Sequence, residues 1–148
     1  MTTIIRTTQP KDLIPLTALM HEYVVGFYNN LWPGDEAIQL LINNLLNHQI
    51  GVQFVAEQDN QLIGFSTLYF TYSTMKAERV AIMNDLFVVE AFRDSEVETK
   101  LFEQCQQYTR EHGCPYMSWI TAETNVRAQQ LFERLGATRG AWVNYSIT

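Results

Sequence analysis

The chain has 148 residues, 47% of them hydrophobic, with a formal net charge of −6 and a pI near 4.9. That length suits one domain, residues 1–148, built on one substantial core, and the apolar content without any low-complexity tract argues against disorder. The acidic balance disfavours nucleic acid as a partner, no apolar run reaches the roughly 18 residues of a membrane span, and His21, His48 and His112 are too scattered for metal-ligand spacing, so no metal is expected.

In chain order, residues 3–8 (TIIRTT) read as a first strand. The opening MTTIIRTTQPKDL has no long apolar stretch, which reads as no secretory signal and a cytoplasmic protein. Gln9 to Asp12 opens a helix on which Leu13, Leu16, Met20, Tyr23, Val24 and Phe27 recur at helical spacing, with Pro15 near its start. Residues 29–35 (NNLWPGD) form a turn. A second helix follows with Ile38, Leu41, Ile42 and Leu45 on one face, and Gly51 marks its exit. Residues 52–57 and 62–72 read as strands joined by a hairpin turn at Gln58-Asp59-Asn60-Gln61. Residues 79–89 form the next strand, long enough to carry a bend or bulge. Its second half, DLFVV, is nearly all apolar, as in a strand covered on both faces.

A helix then carries Val97, Leu101, Phe102, Cys105 and Tyr108 on one stripe and ends at Gly113. Ser95-Glu96-Val97-Glu98 fits the S-x-x-E capping box. Cys105 reads as a buried thiol, and a disulfide to Cys114 is not expected in a cytoplasmic chain with two cysteines. Residues 116–122 form another strand. Thr124 or Asn125 caps a further helix with Val126, Leu131, Phe132 and Leu135 inward and Gly136 at its end. Residues 142–147 (WVNYSI) read as a last strand. The order is β-α-α-β-β-β-α-β-α-β, an α/β arrangement. Where its central strand feeds a helix N-terminus through a tight turn, free N–H groups make a natural anion site.

That strand, turn and helix resemble the GNAT acetyltransferase superfamily, whose members hold the pyrophosphate of acetyl-coenzyme A on an Arg/Gln-x-x-Gly-x-Gly/Ala turn. The segments LYFTYST, NDLFV, HGCPYMSW, N-x-x-A-x-x-L-F-x-x-L-G-A and W-V-N-Y are together most similar to the diamine branch, the spermidine/spermine and thialysine acetyltransferases. The resemblance implies a central mixed, twisted sheet flanked by helices and acetyl transfer to a primary amine of a small polyamine-like or amino-acid acceptor. It also implies a homodimer. It places the backbone of Leu86, Phe87 and Val88 along the pantetheine arm, Asp85 at the cationic acceptor, and Asn125 and Ala128 beside the coenzyme. The pyrophosphate turn maps onto Arg93, Asp94, Ser95, Glu96, Val97, Glu98 and Thr99.

The chemistry needs no covalent enzyme intermediate. An amine attacks the thioester after losing its proton, backbone N–H groups stabilise the oxyanion, and the departing thiolate takes up a proton. Three positions depart from the pattern. Phe132 stands where the general-acid Tyr is usual, leaving Tyr145 or Tyr116 as substitutes. Glu90 stands where a strand-ending Pro is usual. Glu96 and Glu98 replace the two glycines, adding bulk and negative charge where an anion should approach, and a self-capped helix would consume the N–H donors. Two functions therefore compete at the level of sequence: an N-acetyltransferase with weakened coenzyme binding, and a non-catalytic relative that keeps the fold as a ligand-binding or protein-interaction module.

Overall fold

The computed structural model describes residues 2–148. Five strands form one sheet in the order β1-β2-β3-β4-β5. They are β1 (Ile4–Thr7), β2 (Gly51–Gln58), β3 (Gln61–Ser73), β4 (Glu78–Val88) and β5 (Met117–Ser118). The first four pair antiparallel and β5 joins β4 in parallel. Helices α1 (Leu13–His21) and α2 (Asp35–Leu45) cover one face; α3 (Glu96–Glu111) covers the other, and α4 (Val126–Arg134) follows β5. This is the mixed α/β architecture expected from the sequence.

Local chemistry explains most of it. Gln58 pairs with Gln61, and Asp59 and Asn60 between them have φ of 52° and 63°. Both are left-handed, which Asp and Asn tolerate and which a two-residue type I′ hairpin demands. Gly113 and Gly136 have φ of 70° and 91° and end α3 and α4. Asn125 caps α4, its Oδ1 accepting from the Ala128 N–H at 3.1 Å. A Cβ on Gly64 would lie 2.9 Å from the Phe87 carbonyl oxygen and 3.1 Å from Leu101, so its absence lets α3 sit close on the sheet. Cys105 and Cys114 are free and buried. Burial pushes the Cys105 thiol up to about 12, against the pull of its hydrogen bond to Ser66.

The sheet separates two apolar layers. Val55, Phe65 and Phe87 pack against Leu16, Leu19, Met20, Ile38 and Ile42. Val52, Phe54, Leu68, Met83 and Val88 pack against Val97, Leu101, Phe102 and Cys105. A bulge in β4 sorts its residues between the layers. Thr67 pairs with Asp85 and Leu68 with Met83, leaving Asn84 as one extra residue. Residues Ala81 and Met83 therefore join the α3 layer, whereas Asp85 shares a face with Phe87, on the α1/α2 side.

Three segments differ from the sequence reading. The first helix changes pitch after His21 into a π turn, Glu22–Phe27, and Phe27 ends up 38% exposed rather than in the core. The strand expected over 116–122 is two residues long, because its parallel pairing stops at Ile82↔Ser118, two residues short of the bulge where β4 bends. The last strand over 142–147 is absent. Trp142, Val143, Tyr145 and Ile147 are each more than 70% exposed, because so short a β5 offers this tail no edge to pair with. Val126 also faces out, at 56% exposure; it is the first residue of its helix, ahead of the inward stripe.

One polar cluster ties the first strand to the first helix. Asp12 accepts two hydrogen bonds from Arg6, at 2.7 and 2.9 Å, and one from the Gln9 N–H at 2.8 Å. The Arg6 guanidinium holds the Asp12 carboxyl below the usual carboxylate range. A depressed carboxylate contributes stability above its unfolded pKa and loses it as pH falls through the folded value. Asp12→Asn should therefore cost about 2–3 kcal/mol at neutral pH and flatten the acid limb of a melting-temperature profile below about pH 4. Thermal melts across pH 3–7 check this.

Candidate active site

The divergence of β5 from β4 opens a cleft. One wall is the outer edge of β4 from Met83 to Val88, which has β3 on one side and no strand on the other. The opposite wall comes from Trp119, Ile120 and Thr121 after β5 and from α4. An extended ligand lying there would meet backbone N–H and C=O groups that no neighbouring strand uses. Leu86, Phe87, Val88, Asn125 and Ala128 all line this cleft.

At one end stand aromatic residues supplied by the π turn. Tyr23 and Tyr28 line the cleft here, while Phe27 lines it farther along, against Arg93, and π turns recur at functional sites because they re-aim side chains. Tyr23 packs edge-on against Phe65 and Tyr28, with centroids at 5.3 and 5.1 Å. Its phenol feels the Asp85 charge. Asp85 lies mid-strand behind Tyr23 rather than on the cleft wall. Burial pushes its carboxyl above the ordinary range, while hydrogen bonds from Thr67, Tyr23 and Asn84 pull the other way. The Tyr69 phenol is pushed up to about 12, by burial first and then by the Asp85 charge. Tyr23 is raised further by the same causes in the same order. A carboxylate among phenols favours a cation arriving from the cleft.

At the other end is the turn from β4 to α3. Arg93 folds back on the strand: its Nε donates to the Val88 carbonyl at 2.8 Å, and its guanidinium lies 5.0 Å from the Phe27 ring centre. Asp94 is left-handed, with φ 59°. Ser95 caps α3, accepting from the Val97 N–H at 3.3 Å, and its hydroxyl also donates to the Phe92 carbonyl. Thr99 is half-buried one turn further on. Glu98 does not return to the Ser95 N–H, as a capping box would have it. It takes the Asp94 N–H at 2.9 Å instead, because its carboxylate is committed elsewhere. Arg127 on α4 grips it with two nitrogens, at 3.0 and 3.1 Å, and bonds Asp94 at 3.1 Å. The Glu98 side chain is 5% exposed. Glu96 points to solvent at 87% exposure and sits 3.6 Å from Lys100. The two carboxylates thus meet different fates: one is neutralised by an arginine that sequence reasoning missed, the other faces away from the core.

Phe132 lines the cleft and packs edge-on against Trp119, with ring centres 5.1 Å apart. Tyr116 and Tyr145 do not line the cleft; the phenols that do are Tyr23 and Tyr28. Their helical spacing had assigned Tyr23 to the core, and Tyr28 carried no sequence signal. Among the described residues no group of three or more His, Cys, Asp or Glu stands together. No helix there is long and apolar enough to cross a membrane.

A splayed strand edge, a helix N-terminus at one end and an acidic aromatic pocket at the other agree with what the family model matches. Residues 16–137 fit the acetyltransferase (GNAT) family. The chain belongs to that family. An uncharacterized N-acetyltransferase, YhfO of Bacillus subtilis (strain 168), is 30% identical over 132 residues, 89% of this chain and 87% of its own length. A thialysine N-epsilon-acetyltransferase of Bos taurus is 26% identical over 76 residues, 51% of this chain and 44% of its own. Among solved structures, aminoglycoside N-acetyltransferase AAC(6')-Iy in complex with CoA superposes with a TM-score of 0.84 at 23% identity, over 99% of this chain and 95% of that one. That likeness concerns the fold. The GNAT resemblance, with thialysine acetyltransferases among the relatives, stands as expected from the sequence.

Proposed function

We propose that this GNAT protein transfers acetyl from acetyl-coenzyme A to a primary amine of a small cationic acceptor, polyamine-like or amino-acid. The observation that carries this reading is Asp85, mid-strand behind Tyr23, which lines the cleft along the open edge of β4. The coenzyme supplies the activated acetyl group. The outer edge of β4 would take its pantetheine arm, with Asn125 and Ala128 opposite. Arg127 would sit at its pyrophosphate end, beside the α3 N-terminus. A protonated amine drawn toward Asp85 and Tyr23 would approach the same strand edge, where backbone N–H groups can receive developing negative charge.

The pairing of Glu98 with Arg127 supports this reading over the non-catalytic one. An ion-paired carboxylate repels a phosphate much less than a free one. Calorimetric titration with acetyl-coenzyme A, followed by mass spectrometry of spermidine and thialysine incubated with both, tests it. Micromolar binding and a singly acetylated product are expected. No binding at millimolar coenzyme would sink the enzyme reading and leave the interaction module.

Phe132→Tyr should raise turnover, up to roughly 100-fold where thiolate protonation limits the rate, read as kcat under saturating acetyl-coenzyme A. An unchanged kcat would mean that Tyr23 or Tyr28 already protonates the thiolate or that chemistry is not limiting. The exposed apolar tail supports self-association, in keeping with the homodimer that the resemblance implies. Removing residues 141–148 should yield a monomer by light scattering and abolish any dependence of melting temperature on protein concentration.

A further inference from the structure

Directly opposed residues on neighbouring strands share a face of the sheet. Gln53 on β2 pairs with Thr67 on β3, and Thr67 pairs with Asp85 on β4. The three side chains form one polar row across a face that is otherwise apolar, next to the row Val55, Phe65 and Phe87. Gln53 is 1% exposed and Thr67 is fully buried.

The row has a direction. Gln53 Nε2 donates to Thr67 Oγ1 at 3.1 Å, and its other proton faces the Met20 sulfur at 3.9 Å. A thioether sulfur only accepts, so it fixes which end of the amide carries nitrogen. With a lone pair of its hydroxyl already engaged, Thr67 has its single proton free for Asp85, its direct cross-strand neighbour on the same face. The far end of the amide is left over. Gln53 Oε1 is the one buried side-chain polar atom without a partner among the described residues. A half-satisfied buried amide is worse for stability than an apolar side chain of the same size, so stability does not account for glutamine at this position.

We propose that Gln53 and Thr67 are positioning residues for Asp85, a one-way relay that keeps a hydroxyl proton on its carboxylate and so preserves a charged anchor for the cationic acceptor in a low-dielectric face. The identity of the acceptor as a cation rests on the function proposed above; the relay itself does not. The other polar and titratable groups that face Asp85 are Tyr23 from the π turn, Tyr69 from β3 and Asn84 from its own strand, with Tyr28 behind Tyr23. None of them is a cation, so when the relay is cut only the Tyr23 and Asn84 side chains still favour the charged form of Asp85.

The test titrates the Asp85 carboxyl directly, by carbon-detected magnetic resonance of the purified full chain, in the wild type, Thr67→Val, Thr67→Ser and Gln53→Leu. The Asp85→Asn spectrum identifies the signal. Thr67→Val should raise the midpoint by about one pH unit, the worth of one hydrogen bond to a charged group. Gln53→Leu should raise it by less, because the hydroxyl regains freedom to turn away, and Thr67→Ser should leave it in place. The melting temperature of Gln53→Leu should equal or exceed the wild type, whereas Thr67→Val should melt lower at neutral pH and regain the difference below about pH 4, because a higher Asp85 midpoint costs stability only above the carboxylate range. An unmoved midpoint in Thr67→Val, or equal midpoints for Val and Ser, would overturn the relay, and so would a large loss of stability in Gln53→Leu. With spermidine as probe, Thr67→Val should raise KM several-fold near neutral pH with kcat little changed. If no variant acetylates spermidine while the midpoints move as stated, the proposed function fails and the relay stands.

Discussion

Asp85→Asn should weaken a cationic acceptor by roughly 30-fold, leave acetyl-coenzyme A binding unchanged, and yet raise the melting temperature. The first effect follows from removing the one carboxylate beside Tyr23. An ammonium about 4 Å from a carboxylate gains up to about 4 kcal/mol at surface-like dielectric, and desolvation leaves roughly half of that as affinity. The last effect follows from the sign of the shift. Burial raises the folded-state pKa of Asp85 above its unfolded value, so the native protein loses stability as pH rises from the ordinary carboxylate range through that higher value. Asparagine keeps partners for Thr67 and Tyr23 without the charge. A gain of about 1 kcal/mol, or roughly 3 °C, is expected at neutral pH, with no gain below about pH 4. Melts at both pH values, with KM for spermidine and calorimetry of the coenzyme, check all three effects. A drop in stability or equal loss of both ligands would make Asp85 a structural residue.

Glu96→Gly with Glu98→Gly should lower the melting temperature of the free protein by roughly 10 °C and increase affinity for acetyl-coenzyme A about tenfold. The double change restores Arg93-x-x-Gly-x-Gly on the existing scaffold. Its cost is dominated by Glu98, because breaking its ion pair with Arg127 loses about 2–3 kcal/mol and each glycine in the helix up to about 1 kcal/mol. Its gain has the same origin. Arg127 and the Asp94 N–H, both engaged by Glu98, become free to meet phosphate, and one charge-assisted contact is worth about 1.4 kcal/mol or more. Glu96 is exposed and near Lys100, so Glu96→Gly alone should change affinity less than twofold. Adding Arg127→Ala should cancel the gain. Equal affinity in wild type and double variant would show that the Glu98–Arg127 pair does not compete with the coenzyme.

The local features were legible because their causes are local. Asp59-Asn60 specifies its own turn, Gly113 and Gly136 their own helix ends, and the length of β4 its own irregularity. What escaped depends on residues far apart in the chain. Glu98 reads as a cap because serine stands three residues before it; its partner Arg127 lies 29 residues later. The tail WVNYSI has strand chemistry but, in this chain, no strand edge. Tyr23 kept a helical period that the chain abandons at His21.

Asn84 has consequences of a kind no substitution reproduces. It is the single residue by which β4 outruns β3 between Leu68 and Thr67, so removing it would restore an unbroken ladder. Every side chain on one flank of the deletion would then change face. Either Asp85 would enter the greasy layer beneath α3, or Met83 and Ala81 would turn toward α1. The acidic end of the cleft therefore depends on chain length at this point as much as on which residue stands there. A relative that carries the same aspartate in an unbulged strand would present it to the opposite layer, and its acceptor pocket would have to be built from other residues.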